Sequence, residues 1–281
     1  MTPLCRTEWS SDSSDAPSPG GLLALAQTTA PAWATVPFTI AGGIAVGAGG
    51  AVQRLSGLGF SLVCAPVLVA AATPLEGVRT ANCLALFVNI ALLVTGDPHL
   101  VRWRDVAGLA VPAVVVAVPT AALARRLPDR PLGIVVAVLT LAAVASVARR
   151  GPAGRVGPHP WVARWWAAPA VGAASAVSNV LSGIGGPTVA AYGLAAEWEP
   201  RVLRVTLQAY FLALNLVSIA ALGLPTISAT GFGALLGCAG LGVVVGTVIG
   251  PRLPPSASRH LVVLLALGGT AVVLVRSLIP R

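Results

Sequence analysis

The residues whose types and spacing invite chemistry are two short runs, Ser56-Gly-Leu-Gly59 and Ser182-Gly-Ile-Gly-Gly-Pro187. The chemistry they offer is that of exposed main chain. Glycine and proline weaken a helix interior by roughly 1 and 3 kcal/mol relative to alanine, and the second run sits inside an uncharged stretch from Trp165 to Ala196. At membrane depth an unpaired backbone amide costs several kcal/mol, so a helix break persists only where protein or an aqueous cavity surrounds it. One reading is a discontinuous helix whose freed N–H groups and serine hydroxyl bind an anion. The other is a packing kink, in which small residues let helices approach closely.

The second copy favours binding. Ser56 and Ser182 lie 126 positions apart, and the same offset superposes Gly57 on Gly183, Gly59 on Gly185, Pro74 on Pro200, Thr80 on Thr206 and Asn89 on Asn215. It also brings Arg126-Leu-Pro128 onto Arg252-Leu-Pro254. Matched Pro, Thr and Asn in one register are improbable among Ala/Val/Leu-rich segments, so the chain reads as an internal duplication, the organisation of many transporters.

The elements that must position these runs are membrane helices. Hydrophobic residues make up 56% of the 281 and charged residues 10%, against about 25% charged in a soluble domain. Uncharged runs cover Leu55–Leu75, Val106–Leu123, Gly133–Ala148, Trp165–Ala196, Val205–Pro251 and Leu261–Val275, and a span takes about 20 apolar residues. Val205–Pro251 holds two crossings with Leu224-Pro225-Thr226 as their turn. The expected fold is all-α: a polytopic transmembrane bundle of about eight helices (range 7–10), built from two internal repeats with broken helices. Residues 1–36 are expected to form a disordered tail, 37–148 the first repeat, 149–165 a basic connecting loop and 166–281 the second repeat. An even number of crossings per repeat makes the halves parallel and an odd number makes them inverted; three, four and five crossings all remain open.

The net charge of +9 comes from 18 arginines without a lysine. They stand at the ends of apolar runs, as topology signals and anchors do, so no nucleic-acid partner is expected. The cysteines Cys5, Cys64, Cys83 and Cys238 show no paired spacing, and the histidines lie in or beside loops; no metal and no cofactor is expected.

An anion near the bilayer centre needs more than one helix terminus. A charge there costs about 2.5–3.5 kcal/mol on insertion scales, and one helix N-terminus returns about 0.3–1 kcal/mol, up to about 2 when partly buried. The candidate cradle is therefore double: Ser56, Gly57 and Gly59 facing Ser182, Gly183, Gly185 and Gly186. Thr80, Asn82, Asn89, Thr206, Gln208 and Asn215 would add neutral donors from the helix that follows each break. Residues 82 and 89 lie two turns apart on one face, and 208 and 215 repeat the spacing. Their alternative role is interhelical hydrogen bonding, worth about 0.6 kcal/mol each. Arg79 and Arg204 are candidates for gating or counter-charge, with interfacial anchoring as their alternative.

A glycine-rich first helix leading to Ser56-Gly-Leu-Gly59 and Ala65-Pro66, repeated as Ser178-Asn-Val-Leu-Ser-Gly-Ile-Gly-Gly-Pro187, resembles the sulfite exporter TauE/SafE family of bacterial membrane transporters. The resemblance covers roughly Pro37 to Ile279. It implies a multi-pass plasma-membrane transporter, and not an enzyme, that exports or takes up sulfite, a sulfonate or a related small organic anion. Phe60 stands where the family usually continues with glycine, leaving the first break less open than the second. Partners are then a small anionic solute and the bilayer, with a homo-oligomer left open. Two other classes compete. An intramembrane enzyme would need a base for Ser56 or Ser182, and no histidine lies in an apolar run. A membrane scaffold without a transport cycle would account for the lack of carboxylates deep in the spans: Glu76, Glu197 and Glu199 all sit at their ends.

Overall fold

The computed structural model describes residues 36–148, 159–249 and 252, with isolated positions between 263 and 275. The tail before residue 36 and most of the basic central loop lie outside the described residues. Among the described residues the chain is helical without a strand. In order the helices are α1 Val36–Ser56, α2 Phe60–Ala71, α3 Pro74–Val94, α4 Trp103–Arg126, α5 Asp129–Ala148, α6 Ala167–Ser182, α7 Gly186–Ala195, α8 Pro200–Leu222 and α9 Ala229–Ile249. Five of them (α3, α4, α5, α8 and α9) are long and apolar enough to cross a membrane. The starts of α2, α3 and α4 (Phe60, Pro74, Trp103) and of α7, α8 and α9 (Gly186, Pro200, Ala229) keep the 126-residue offset.

Local signals explain where the helices begin and stop. Thr73 caps α3, its hydroxyl accepting from the Glu76 amide at 3.4 Å, with Pro74 in the first turn. Proline is pre-organised for that position, so α3 begins at Pro74, just before the charged pair, and takes in Glu76, Arg79 and Thr80. The α8–α9 turn falls at residues 223–228, where Gly223 adopts φ 93°, and it contains the Leu224-Pro225-Thr226 expected as a turn.

Three sets of contacts fix how the helices run. α1 and α9 run in the same direction, with Gly43 near Cys238, Gly47 near Gly242 and Ala51 near Gly246. The starts of α4 and α6 meet, Gly108 at Ala168 and Leu109 at Gly172, and Val180 near the end of α6 joins a cluster with Ala117 and Ala121 of α4. α3 and α8 are antiparallel: Arg79 reaches the Leu222 carbonyl, whereas Gln53 links Asn89 to Gln208. The last turn of α1 therefore reaches late α3 and early α8. The last turn of α6, through Asn179, reaches Asn82 of early α3 and Ser218 of late α8. α1 and α6 consequently point in opposite senses.

Glycine makes these packings close. A β-carbon added at Gly242 would lie 1.9 Å from the Gly47 carbonyl oxygen, and one at Gly172 would lie 2.0 Å from that of Leu109. In lipid, where apolar side chains gain little by leaving one apolar medium for another, such backbone approach is a main source of helix association.

Candidate functional site

Both helix breaks lie at the same place in the bundle. A β-carbon on Gly186 would stand 3.5 Å from Leu58 Cβ, and one narrow cavity is lined by Gly59 and Phe60 of the first break and Ile184, Gly185, Gly186 and Pro187 of the second. Gln53, Asn89, Asn179, Phe211 and Asn215 complete much of its wall, and no charged residue lines it. Its volume of about 30 Å³ holds about two waters. On the side where α1, α3 and α9 end and α8 begins, a polar vestibule of about 500 Å³ opens, lined among others by Arg54, Gly57, Asp97, Arg201, Arg204 and Gln208. Gln53 belongs to both walls.

The hydrogen bonds of the first break determine how the Gln53 carboxamide is oriented. Backbone N–H groups only donate, and those of Gly59 and Phe60 point at one side-chain oxygen, Gln53 Oε1, at 2.8 and 3.0 Å. Gln53 Nε2 is thereby turned to Asn89 Oδ1 at 3.2 Å, Gln208 Oε1 at 3.1 Å and the Gly57 carbonyl at 3.3 Å. Gln208 Nε2 shares that carbonyl at 3.2 Å. Ser56 donates to Val52 and Leu58 carbonyls. The first break thus satisfies itself: the amides at the start of α2 are capped and its carbonyls are occupied.

The second break is wired differently. Its carbonyls are taken, Ile184 by Ser178 and Gly185 by Ser175 at 2.8 Å and Thr188 at 3.1 Å. Gly185, the N-cap of α7, brings no side-chain cap, and among the described residues neither Gly185 nor Gly186 finds a backbone acceptor. Asn179, the counterpart of Gln53 at the 126 offset, turns its Nδ2 to Asn82 Oδ1 at 2.7 Å and Ser218 at 3.0 Å. Asn215 is 3% exposed and lines the cavity, and its carboxamide opens into that space instead of being tied to a neighbouring helix. Asn89 accepts from Gln53, which leaves its Nδ2 for the cavity. The main-chain carbonyls of the second break are consumed while the Gly185 and Gly186 amides and the Asn89 Nδ2 are left over, so the cavity offers N–H groups, with the Asn179 and Asn215 carboxamide oxygens as acceptors beside them.

The expected site residues fall into distinct places. Gly59, Gly185, Gly186, Asn89 and Asn215 line the inner cavity, while Gly57, Gln208 and Arg204 line the vestibule. Ser182 bonds the Ser178 carbonyl one turn back, as Ser56 does with Val52, so both hydroxyls are engaged within their own breaks. Gly57 and Gly183 supply the left-handed residues, φ 77° and 74°, that end α1 and α6. Asn82 stands behind Asn179. Thr80 bonds the Glu76 carbonyl and lines a separate, mostly apolar pocket of about 140 Å³. Thr206 accepts from the Arg102 amide at 3.2 Å. Arg79 pairs with Glu76 at 2.8 Å and holds the Leu222 carbonyl, while Glu76 accepts from the Thr226 amide at 2.9 Å. That arginine ties the α8–α9 turn to α3 at the end away from the vestibule. Gln53, Asn179, Arg54 and Arg201 were not among the expected site residues; a carboxamide at the same offset in both halves was the signal for the first two.

The family model for the sulfite exporter TauE/SafE matches residues 30–274. The chain belongs to the sulfite exporter TauE/SafE family. No curated protein and no solved structure matches it. This TauE/SafE chain is accordingly a multi-pass membrane protein of a transporter family.

Proposed function

We propose that this TauE/SafE protein carries a small oxyanion, such as sulfite, a sulfonate or a related organic anion, across the plasma membrane through the inner cavity. The observation that carries this reading is one cavity wall on which the Asn215 carboxamide stands open beside the uncapped amides of Gly185 and Gly186. An acceptor-rich ligand entering this cavity takes over hydrogen bonds that water otherwise makes to these groups. The helix terminus contributes up to about 2 kcal/mol, and each hydrogen bond to a charged acceptor adds about 1.5–3 kcal/mol. With Asn89 and Asn215 as donors the sum exceeds the roughly 2.5–3.5 kcal/mol that a charge costs at mid-bilayer. The cavity as it stands admits water and no oxyanion, so it represents a closed stage of the cycle, and seating the anion requires the starts of α2 and α7 to separate.

Alternation between the two faces would follow from an inverted duplication of residues 37–148 and 166–281. The shared offset of helix starts, the opposite senses of α1 and α6, and the matching positions of Gln53 and Asn179 support it. Arginines Arg54, Arg102, Arg104, Arg164, Arg201 and Arg204 gather at the vestibule side, against Arg79, Arg125, Arg126 and Arg130 at the other. By the positive-inside rule the vestibule then faces the cytoplasm, where a negative interior favours efflux by about 2.3 kcal/mol per charge per 100 mV.

Gly186→Ala tests this directly. The added methyl meets Leu58 and Phe211 at ordinary contact distances of 3.5 Å, so the variant is expected to fold and melt like wild type. Because the methyl occupies the cavity, sulfite flux into proteoliposomes should fall about tenfold or more, equivalent to ~1.4 kcal/mol. Normal flux in this variant would remove the cavity from the pathway, and a wild type inert toward sulfite, methanesulfonate and acetate would favour a scaffold.

A further inference from the structure

We infer that the vestibule is a second anion-binding site, a capture site for small oxyanions that is separate from the inner cavity and loads it past Gln53 and Gln208. This rests on the transport reading above and adds to it where the anion is first held. Three guanidinium groups, Arg54, Arg201 and Arg204, share the hollow with one carboxylate, Asp97. Arg201 and Arg204 are exposed, and the described ion pairs involve other residues, Arg79 with Glu76 and Arg102 with Asp105. Arg54 spends its Nε on Thr247 at 3.1 Å, which fixes its direction without neutralising it. Surface arginines that serve only as anchors spread along the interface. Here one arginine from the end of α1 and two from the start of α8 converge on a concave, polar wall of about 500 Å³.

The position of this charge gives it a task. A cleft lined by one sign of charge raises the local concentration of its counter-ion and speeds capture by about 10–10³-fold, an effect that salt removes. The floor of the vestibule is the Gln53–Gln208 carboxamide pair, 3.1 Å apart, and the far side of Gln53 is the wall of the inner cavity. An anion held by the arginines thus waits one side chain away from the donors of Asn89 and Asn215. Both floor groups are neutral, so passage involves breaking amide–amide contacts and no ion pair. Arg204 also packs its stem on Gly57, where a β-carbon would come within 2.8 Å of Arg204 Cγ, so the capture group leans on the break itself.

The experiment measures concentration-dependent sulfite and methanesulfonate flux in proteoliposomes at low and high ionic strength, with the vestibule facing the loaded side. Wild type should show a half-saturating concentration that rises with salt. Neutralising both exposed groups, Arg201→Gln with Arg204→Gln, should raise it about tenfold or more at low salt and flatten the salt dependence. The charge-conserving pair Arg201→Lys with Arg204→Lys should restore both, which a purely structural role for the guanidiniums would not produce. Unchanged half-saturation and an intact salt response in the double glutamine variant would overturn the capture site while leaving transport standing. Absence of flux in wild type would overturn both.

Discussion

Replacing Gln53 by leucine should lower the melting temperature in detergent more than any other single change in the polar seam. The leucine leaves the Gly59 and Phe60 amides without their acceptor and removes the donor to Asn89 and Gln208. Two orphaned buried amides at about 1–3 kcal/mol each put the loss at roughly 2–6 kcal/mol, less whatever water the vestibule supplies. Gln53→Glu separates stability from function. Its carboxylate accepts from the same two amides, and hydrogen bonds to a charged group are stronger, at about 1.5–3 kcal/mol. That variant keeps both amide bonds but loses the donor to Asn89, Gln208 and the Gly57 carbonyl, so it should melt between wild type and Gln53→Leu, while the negative charge between vestibule and cavity should abolish anion flux. A Gln53→Glu protein that transports normally would show that anions do not pass this residue.

The second large effect is expected at the glycine contacts. Gly242→Ala and Gly172→Ala each drive a methyl to within about 2 Å of a carbonyl on the neighbouring helix, so α1 and α9, or α4 and α6, must move apart. Overpacking of this kind costs about 1–3 kcal/mol and occasionally more, and both variants should melt earlier and lose monodispersity on size exclusion. Gly240→Ala, two residues from Gly242 on α9, meets nothing within 4 Å. It should be neutral or stabilising by up to about 1 kcal/mol through helix propensity. Equal melting of Gly240→Ala and Gly242→Ala would remove close backbone contact as the reason for these glycines.

What the sequence disclosed, and what it hid, follows from the range of each interaction. The breaks were legible because glycine and proline act on their own backbone, and the α3 cap because Thr73, Pro74 and Glu76 lie within one turn. The pairing of Arg79 with Glu76 is likewise an i,i+3 contact that spacing suggests. Gln53 escaped notice because its partners lie up to 155 positions away and nothing local marks it. Ser56 and Ser182 are expected donors to a ligand from spacing alone; in the fold each hydroxyl bonds the carbonyl four residues back, as helical serines do. The unequal breaks were foreshadowed by Phe60: it is 2% exposed and closes the first loop, while the second ends in Gly185-Gly186-Pro187 with its amides open to the cavity.

The embrace of α1 by α9 has a consequence for biogenesis. The glycines that fit together, Gly47 and Gly242, leave the ribosome 195 residues apart, roughly 10–40 s at about 5–20 residues per second. Throughout that interval α1 has only the partners made soon after it, Gly59, Phe60 and Asn89 for its Gln53, and lacks α8 and α9. The partner of α6, by contrast, has already been synthesised when α6 emerges, since α4 precedes it. Among the described helices the first is therefore the last to be fully packed, and the polar seam closes only when α8 arrives with Gln208 and Ser218.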